Sequence, residues 1–299
     1  MPSLRDLQFR LEYALLRVLV AIVRALPIDT GGAISAAIWR RIAPWNRRHK
    51  RALANLALAY PEKTAGEREA IALAMWENLG RVMAETMQID RILKDKSRLE
   101  LIHPQAFNRY SGKDGATVGV ALHTGNWEFA IWPLTADGKV PAAIFRLVKN
   151  PYVDRYLRAQ RRDLYPGGLL GKGKAFGNAE AQRTARIILD FVRRGGRLGI
   201  VSDLFDRNGL PVPFFGQPAK STMVPAMLAR RTGARLWAAR CIRDGRAARF
   251  KIEVLELKVP RTRNQGDDIR VATATIQAQF EAWVREYPEQ WMWSNRRWS

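Results

Sequence analysis

The sequence predicts an α/β protein: a mixed, mainly parallel sheet covered by helices, preceded by an N-terminal helical segment. From about residue 116, short apolar runs alternate with helical segments, which is typical of parallel strands joined by helical crossovers. The first ninety residues instead show only helical periodicity. With 47% hydrophobic residues in 299, the chain is long and apolar enough to bury a sizeable core.

The first predicted helix, residues 11–26, is apolar but interrupted by Glu12, Arg17 and Arg24. A membrane-spanning helix requires roughly 20 mostly apolar residues, so this segment is a poor candidate for one. Arg17 and Arg24 are seven positions apart and share one helix face. The opposite, apolar face fits either an interfacial helix whose arginines meet lipid headgroups or a helix of the globular core.

Three more helices follow in the N-terminal part, at residues 33–42, 47–60 and 68–87. Thr64 and Glu67 form a capping box for the last of these. Six Lys and Arg residues lie at positions 40–51, beside Trp39 and Trp45. Basic residues next to tryptophans suit the boundary between water and an anionic membrane. A solvated run of charge is the alternative interpretation.

The alternating region gives the predicted sheet. Strands are expected at residues 117–122, 142–147 and 197–202, and helices at 126–136, 151–163, 178–194 and 222–232. Residues 234–243 and 248–257 flank Asp244-Gly245, which predicts a hairpin of antiparallel strands at the edge of the sheet. An amphipathic helix at 269–286 then leads into an aromatic tail.

Residues 121–130 read ALHTGNWEFA and contain the first candidate site residues. His123 directly follows a predicted strand, Gly125 allows a tight turn, and Asn126 is a good N-cap for a helix that carries Glu128 in its first turn. Histidine is the side chain best suited to proton transfer near neutral pH. Without further evidence, His123 is equally an ordinary polar residue, and Glu128 an acid that complements the helix dipole.

Two more polar residues follow predicted strands, Arg146 and Asp203. In open α/β sheets, ligands bind beyond the carboxyl ends of the strands. Because His123, Arg146 and Asp203 all fall at such ends, the sequence predicts a functional site there.

Other site classes find little support in the sequence. The single cysteine, Cys241, rules out an internal disulfide framework, and the three histidines lack ligand spacing, so no metal site is predicted. Residues 168–175 approach a nucleotide phosphate loop, but Ala175 stands where that loop needs a hydroxyl. No G-x-S-x-G nucleophile motif is present.

The formal net charge of +22 predicts an acidic partner. Nucleic acid, an anionic membrane surface, a phosphorylated substrate and an acidic carrier protein all fit this charge. Nucleic-acid binding is the main rival to an enzyme, but no recognition-helix, RNA-binding or zinc-finger motif is visible.

Several segments together resemble the late lipid A acyltransferase family (the lauroyl/myristoyl acyltransferases), related to the glycerolipid acyltransferases with their His-x4-acid motif. They are ALHTGNWE at 121–128, Phe145-Arg146, Asn150-Pro151, VPFFG at 212–216, Lys220-Ser221-Thr222, LARRTGA at 228–234 and YPEQWMW at 287–293. Two positions depart from the family pattern. Asp203-Leu204 stands where the family tends to have Asp-Gln, and Asn295-Arg296-Arg297 where it tends to have His-Arg-Arg.

The resemblance implies an enzyme that moves a fatty acyl chain from an acyl carrier protein thioester to a hydroxyl of a lipid A precursor, a phosphorylated glycolipid. It implies His123 as general base and Glu128 as the partner that fixes its tautomer, with no metal and no cofactor. Asn126, Arg146 and Asp203 are expected to bind substrate. Arg146 would hold a phosphate or the developing oxyanion, and Asp203 would organise the loop and its arginines.

The resemblance also implies a membrane-associating helix at residues 1–30 and an acyltransferase domain at 31–299. The expected location is the cytoplasmic face of the inner membrane, where the partners are the carrier protein, the glycolipid and the anionic surface rather than nucleic acid. The alternatives are an acceptor that is another glycolipid or a lysophospholipid, a coenzyme A donor, a tilted spanning helix and, as a rival class, a nucleic-acid-binding protein.

Overall fold

The computed structural model describes residues 3–111, 115–172 and 178–298. The helices are α1 (Leu4–Ala25), α2 (Ile28–Ile42), α3 (Arg47–Ala59), α4 (Ala65–Thr86), α5 (Ile89–Lys94), α6 (Pro104–Ser111), α7 (Trp132–Ala136), α8 (Pro151–Gln160), α9 (Asn178–Arg193), α10 (Val224–Thr232) and α11 (Gln265–Glu286). The strands are β1 (Leu99–Leu101), β2 (Thr117–Ala121), β3 (Pro141–Arg146), β4 (Leu169–Lys172), β5 (Arg197–Val201), β6 (Phe205–Phe214), β7 (Gln217–Ser221), β8 (Arg235–Arg243) and β9 (Phe250–Leu257). Short 3₁₀ helices span Ala43–Trp45, Lys96–Arg98, Trp127–Ile131 and Pro288–Gln290.

Seven of the described strands form one sheet in the order β1-β9-β8-β2-β5-β3-β4. Strand β2 pairs in parallel with both β5 and β8, and β3 pairs in parallel with β5 and β4. The predicted α/β class with a mixed, mainly parallel sheet is therefore confirmed. The sheet also places the carboxyl ends of β2 and β5 side by side.

The predicted hairpin around Asp244-Gly245 is present, because β8 and β9 pair antiparallel and Gly245 has φ 67°. Its predicted position at the edge of the sheet is wrong. The short strand β1 adds to β9 in parallel and forms that edge instead. At three residues, β1 is too short to give a sequence pattern.

The β6–β7 pair was not predicted. These strands form a separate antiparallel ribbon. Pro211 and Pro213 lie inside β6, and proline removes a ladder donor, so the pattern argues against a strand. Strand β4 also escaped prediction because it belongs to the glycine-rich segment 168–175, of which residues 173–175 lie outside the described part of the chain.

The largest core cluster lies between the sheet and helices that include α4, α10 and α11. Val118, Val120, Leu198 and Ile200 of the central strands are all buried in it. Apolar runs in β2 and β5 are thus explained by burial of central parallel strands. Cys241 is fully buried and free, as expected for a small apolar residue.

Helix α1 is not a core helix, so that interpretation of residues 11–26 is wrong. Of its residues only Val20 is buried, whereas Leu11 and Leu15 are 60% and 63% exposed. Its large exposed apolar residues are Leu4, Leu7, Leu11, Leu15, Val18, Leu19 and Ile22. Its polar face contacts α8: Asn150 donates to the Phe9 carbonyl oxygen and to Glu12, at 2.8 and 2.9 Å.

Candidate active site

His123 and Asp203 meet at the carboxyl ends of β2 and β5. Ala121 is paired with Val201 in the parallel register of these strands, and each chain continues two residues further to the polar side chain. The amide of Ser202 still donates to the carbonyl oxygen of Ala121, at 3.0 Å, which extends the pairing beyond the strands. The register therefore brings together two residues that are 80 positions apart.

Asp203 is fully buried and holds His123 at two points. Its Oδ1 lies 2.8 Å from His123 Nδ1, and its Oδ2 accepts the backbone N–H of His123 at 2.9 Å. The indole N–H of Trp291 donates to the same Oδ2 at 2.8 Å. The hydrogen-bond partner of His123 is therefore Asp203, which corrects the predicted pairing of His123 with Glu128.

These contacts decide which ring nitrogen of His123 can act as a base. A carboxylate accepts hydrogen bonds and cannot donate, so in the neutral imidazole Nδ1 carries the proton and Nε2 keeps its lone pair. Burial of the ring disfavours the imidazolium, but the charge and hydrogen bond of Asp203, with a smaller contribution from Glu128, outweigh it and raise the pKa of His123. Burial would raise the pKa of Asp203, yet the charge of His123 and the hydrogen bonds from His123 and Trp291 hold it below its ordinary value. Trp127 packs edge-on against the imidazole, with 4.9 Å between ring centroids.

Glu128 forms an ion pair with Arg161 instead. The guanidinium of Arg161 donates from Nε and Nη2 to the two carboxylate oxygens, at 2.7 and 2.5 Å. Both side chains are largely buried. Arg161 caps the carboxyl end of α8, and no motif in the sequence marked it as a site residue. A bidentate pair of this kind fixes the Glu128 carboxylate in orientation as well as in charge.

Asn126 and Asp203 lie behind the cavity wall, and their predicted contact with substrate stays a prediction. Both side chains are buried, and neither lines the cavity described below. Asn126 accepts the backbone N–H of Glu128 at 3.3 Å, as the predicted N-cap, and donates to Glu85 at 3.0 Å. Asp203 acts on His123. The chain turns inward at Gly125, so Asn126 faces α4 rather than the cavity.

Arg146 is placed differently from these two residues. It ends β3, is exposed, and lines the cavity. Strand β5 lies between β3 and β2, so Arg146 and His123 follow strands that are not neighbours in the sheet. In the described part of the chain, Arg146 makes no ion pair. Its predicted role in holding an anion therefore stays a prediction.

A cavity of about 340 Å³ opens beside His123. This size falls within the usual range of small-molecule sites. Its polar lining includes His123, Glu128, Arg146 and Arg161. Its apolar lining includes Val120, Ala130, Ile131, Leu134, Ile144, Phe145, Leu169, Ile200, Trp237 and Val254. The imidazole is 18% exposed, so a histidine with one free nitrogen stands at the wall of a mainly apolar chamber.

An oriented base beside a chamber of this kind suits the deprotonation of an acceptor group and the binding of an apolar chain. The family described as bacterial lipid A biosynthesis acyltransferase matches residues 2–299, and the chain belongs to that family. The protein is therefore an acyltransferase.

The chain is also similar to a characterised relative. Phosphatidylinositol mannoside acyltransferase of Mycobacterium tuberculosis is 24% identical over 254 residues, which cover 82% of this chain and 75% of that protein. The family and this relative agree on acyl transfer, and their descriptions name different glycolipids.

Proposed function

We propose that the protein transfers a fatty acyl chain from an acyl carrier protein thioester to a hydroxyl of a lipid A precursor, with His123 as general base. The observation that carries the proposal is the His123–Asp203 pair, which directs Nε2 of the neutral imidazole, with its lone pair, to the wall of the apolar cavity. Asp203 fixes the tautomer and stabilises the imidazolium once it forms, as the acid of a hydrolase triad does.

The chemistry follows from that geometry. The acceptor hydroxyl gives its proton to Nε2 as its oxygen attacks the thioester carbonyl carbon. The new carbon–oxygen bond forms, the carbon–sulfur bond breaks, and the proton passes from the imidazolium to the leaving thiolate. The acyl chain occupies the cavity, whose apolar side chains come from β2, β3, β4, β5, β8, β9 and the 127–136 segment. Glu128 and Arg161 form a polar part of the same wall, and the negative charge of Glu128 contributes to the raised pKa of His123.

The charge of +22 supports the choice of donor and location. An acidic carrier protein, a phosphorylated acceptor and an anionic leaflet are all attracted to a basic protein. We place the enzyme on the cytoplasmic face of the inner membrane, where these three meet. A phosphatidylinositol mannoside or a lysophospholipid is the alternative acceptor, and the first of these is supported by the name of the mycobacterial relative.

The function is tested with the purified full chain in detergent micelles. Labelled acyl carrier protein thioester and acyl coenzyme A are offered as donors, and a lipid A precursor, a phosphatidylinositol mannoside and a lysophospholipid as acceptors. We expect acyl transfer from the carrier protein to the lipid A precursor. Transfer to another acceptor alone would replace the proposed substrate, and binding of RNA without transfer to any acceptor would favour the nucleic-acid alternative.

Membrane association is proposed through α1 and the adjoining surface of α2. No helix in residues 3–111, 115–172 and 178–298 is long and apolar enough to cross a bilayer. The exposed leucines of α1 instead form a stripe, which α2 extends with exposed Ile34, Ile38 and Ile42. Trp45 is 77% exposed beside Arg41, as an interfacial anchor would be, whereas Trp39 stacks on Trp76. Burial of this stripe in the headgroup region would anchor the enzyme without a spanning helix.

Replacement of Leu11 and Leu15 by serine is therefore expected to weaken vesicle binding. Each leucine contributes roughly 1.5–3 kcal/mol when fully buried, so the double variant should bind anionic vesicles at least about tenfold more weakly. Co-sedimentation with vesicles containing anionic lipid measures the effect. Val140→Ser is the control, because Val140 is as exposed (60%) but lies on a loop far from α1 in sequence. Equal binding by all three proteins would contradict the proposed anchor.

Arg146→Lys is expected to fold normally and to lose most acyl transfer. A lysine keeps the charge but cannot reproduce the planar, bidentate grip of a guanidinium on phosphate. Steady-state kinetics on a phosphorylated and a dephosphorylated acceptor separate the roles, and the deficit should shrink on the dephosphorylated one. Arg155→Lys on α8 is the control, since Arg155 is exposed and does not line the cavity. Equal relative losses on both acceptors would show that Arg146 does not bind that phosphate.

A further inference from the structure

A buried ion pair lies beneath the loop that carries His123. Arg243, at the end of β8, binds Glu85 of α4 through two hydrogen bonds of 2.6 and 2.8 Å. The two side chains are 4% and 2% exposed, and neither lines the cavity. The proposed acyl transfer therefore gives them no direct chemical task.

The ion pair is linked to the loop by two amides. Asn126 donates from Nδ2 to Glu85 Oε2 at 3.0 Å, while its Oδ1 accepts the backbone N–H of Glu128. Asn78 accepts from Arg243 Nε at 2.8 Å and donates to the carbonyl oxygen of Gly125 at 3.1 Å. Through these contacts, the charges beneath the loop hold it at two successive residues.

Gly125 shows how closely the loop is packed. It has φ 55°, and a Cβ there would lie 2.0 Å from the carbonyl oxygen of Cys241. Its N–H donates to the carbonyl oxygen of Gln290 at 3.2 Å, so both of its backbone polar groups have partners. The loop is closely packed at this residue, so its position depends on that of Asn78, Gln290 and Cys241, which contact Gly125.

Stability alone does not account for the pair. Replacing a buried ion pair with apolar residues is often neutral or stabilising, because desolvation of two charges offsets their attraction. The pair does carry a geometric constraint, since a bidentate guanidinium–carboxylate contact fixes both groups in one plane. The Asn126 side chain accepts the backbone N–H of Glu128 at the start of the 3₁₀ helix Trp127–Ile131. Its own orientation depends on the Glu85 oxygen to which it donates.

We infer that the buried Glu85–Arg243 pair, acting through Asn126 and Asn78, is a positioning device that sets the His123–Glu128 loop against the cavity. This inference rests on the proposed function, because it assigns the pair to the placement of the proposed base. Displacement of a reacting group by ~1 Å can cost ~10²-fold in rate.

The test exchanges the donor and the acceptor in the contact between Asn126 and Glu85. Asn126→Asp keeps a good N-cap for the Glu128 N–H but turns a carboxylate toward Glu85, so the contact becomes repulsive. Adding Glu85→Gln supplies a new amide donor to that carboxylate. This donor replaces Glu85 Oε2, which also accepts from Arg243 Nη2 at 2.8 Å, so the new carboxylate at position 126 must take over that acceptor role together with the negative charge that balances Arg243. We expect kcat per folded molecule to fall ~10–100-fold in the single variant with KM little changed, and to recover substantially in the double variant.

Asp268→Asn is the matched control. Asp268 is also buried and paired, with Arg230 at 2.7 Å, but it joins α10 and α11 away from the loop. This variant should lose stability without losing kcat. If folded Asn126→Asp keeps the kcat of the wild type, or if the double variant stays as impaired as the single one, the positioning role is overturned.

A second readout does not depend on acyl transfer. The chain has three histidines, so the imidazole signal of His123 can be identified by NMR with labelled histidine and one substitution. The signal is expected to shift in Asn126→Asp and to return toward its original position in the double variant, with those of His49 and His103 unmoved. An unmoved His123 signal would refute the inference even if the enzyme acylates another acceptor. A shifted and restored signal without transfer to any acceptor would refute only the proposed function.

Discussion

Replacement of His123 by asparagine or alanine is expected to reduce acyl transfer by ~10²–10⁴-fold, the usual contribution of general-base catalysis. Both replacements remove Nε2, the nitrogen proposed to take the proton of the acceptor hydroxyl. Asparagine can still donate one hydrogen bond to Asp203, so it avoids leaving that buried carboxylate without its side-chain partner. Initial rates on the lipid A precursor measure the effect, and near-UV circular dichroism checks the fold.

The control for this substitution is His103→Asn. His103 is exposed, has φ 56°, and is not part of the cavity, and asparagine tolerates that backbone conformation. The control should keep the rate of the wild type. Turnover close to wild type by a folded His123→Asn protein would remove His123 from the mechanism.

Asp203→Asn is expected to be nearly as harmful, ~10²–10⁴-fold, although it adds no bulk. The backbone N–H of His123 and the indole N–H of Trp291 both donate to Oδ2, so the amide oxygen must occupy that place. The new NH₂ group then faces Nδ1 of His123 and donates to it. This favours the tautomer with the proton on Nε2, so only the minor fraction of molecules with a lone pair on Nε2 can still use His123 as a base.

The same substitution should move the pH profile of the remaining activity. The base works in its neutral form, so the rate rises as pH increases through the pKa of His123. Because Asp203 raises that pKa, the wild-type inflection should lie above the ordinary histidine value of about 6.5. Without the carboxylate the inflection should move to lower pH. Asp206→Asn, a change of the same type at a half-buried residue that does not line the cavity, should leave both rate and profile unchanged. An unmoved inflection in Asp203→Asn would argue against the assigned coupling.

The central sheet was predictable because its strands are buried on both faces and read as apolar runs. Strands β2, β3 and β5 end within one residue of their predicted ends. His123 and Asp203 were both identified from their positions after such strands. Their contact was not identified, since it depends on the order and register of β2 and β5, which a single sequence does not encode locally. The short spacing of His123 and Glu128 favoured Glu128 as the partner of His123, whereas the hydrogen-bond partner is Asp203, which follows the neighbouring strand β5.

Buried charged residues are the part of the structure that the sequence predicts least well. Glu85 and Arg161 belong to helices in which an acid or an arginine is unremarkable in the sequence, and both are largely buried by contacts with distant segments. Arg243 is the last residue of β8, beside the Asp244-Gly245 turn, where an arginine is equally common in sequence. The exposure of α1, by contrast, was undecided from periodicity alone, because an apolar stripe looks the same whether protein or lipid covers it.

The segment after α11 determines when the proposed site can form during synthesis of the protein. The Trp291 indole donates to Asp203, the Met292 amide donates to the His123 carbonyl oxygen at 3.1 Å, and Gln290 accepts from Gly125. These residues are translated after His123 and Asp203. His123 and Asp203 of a nascent chain therefore leave the ribosome before the groups of residues 290–292 that hold them. The histidine gains its final geometry only when this last segment folds back over the strand ends.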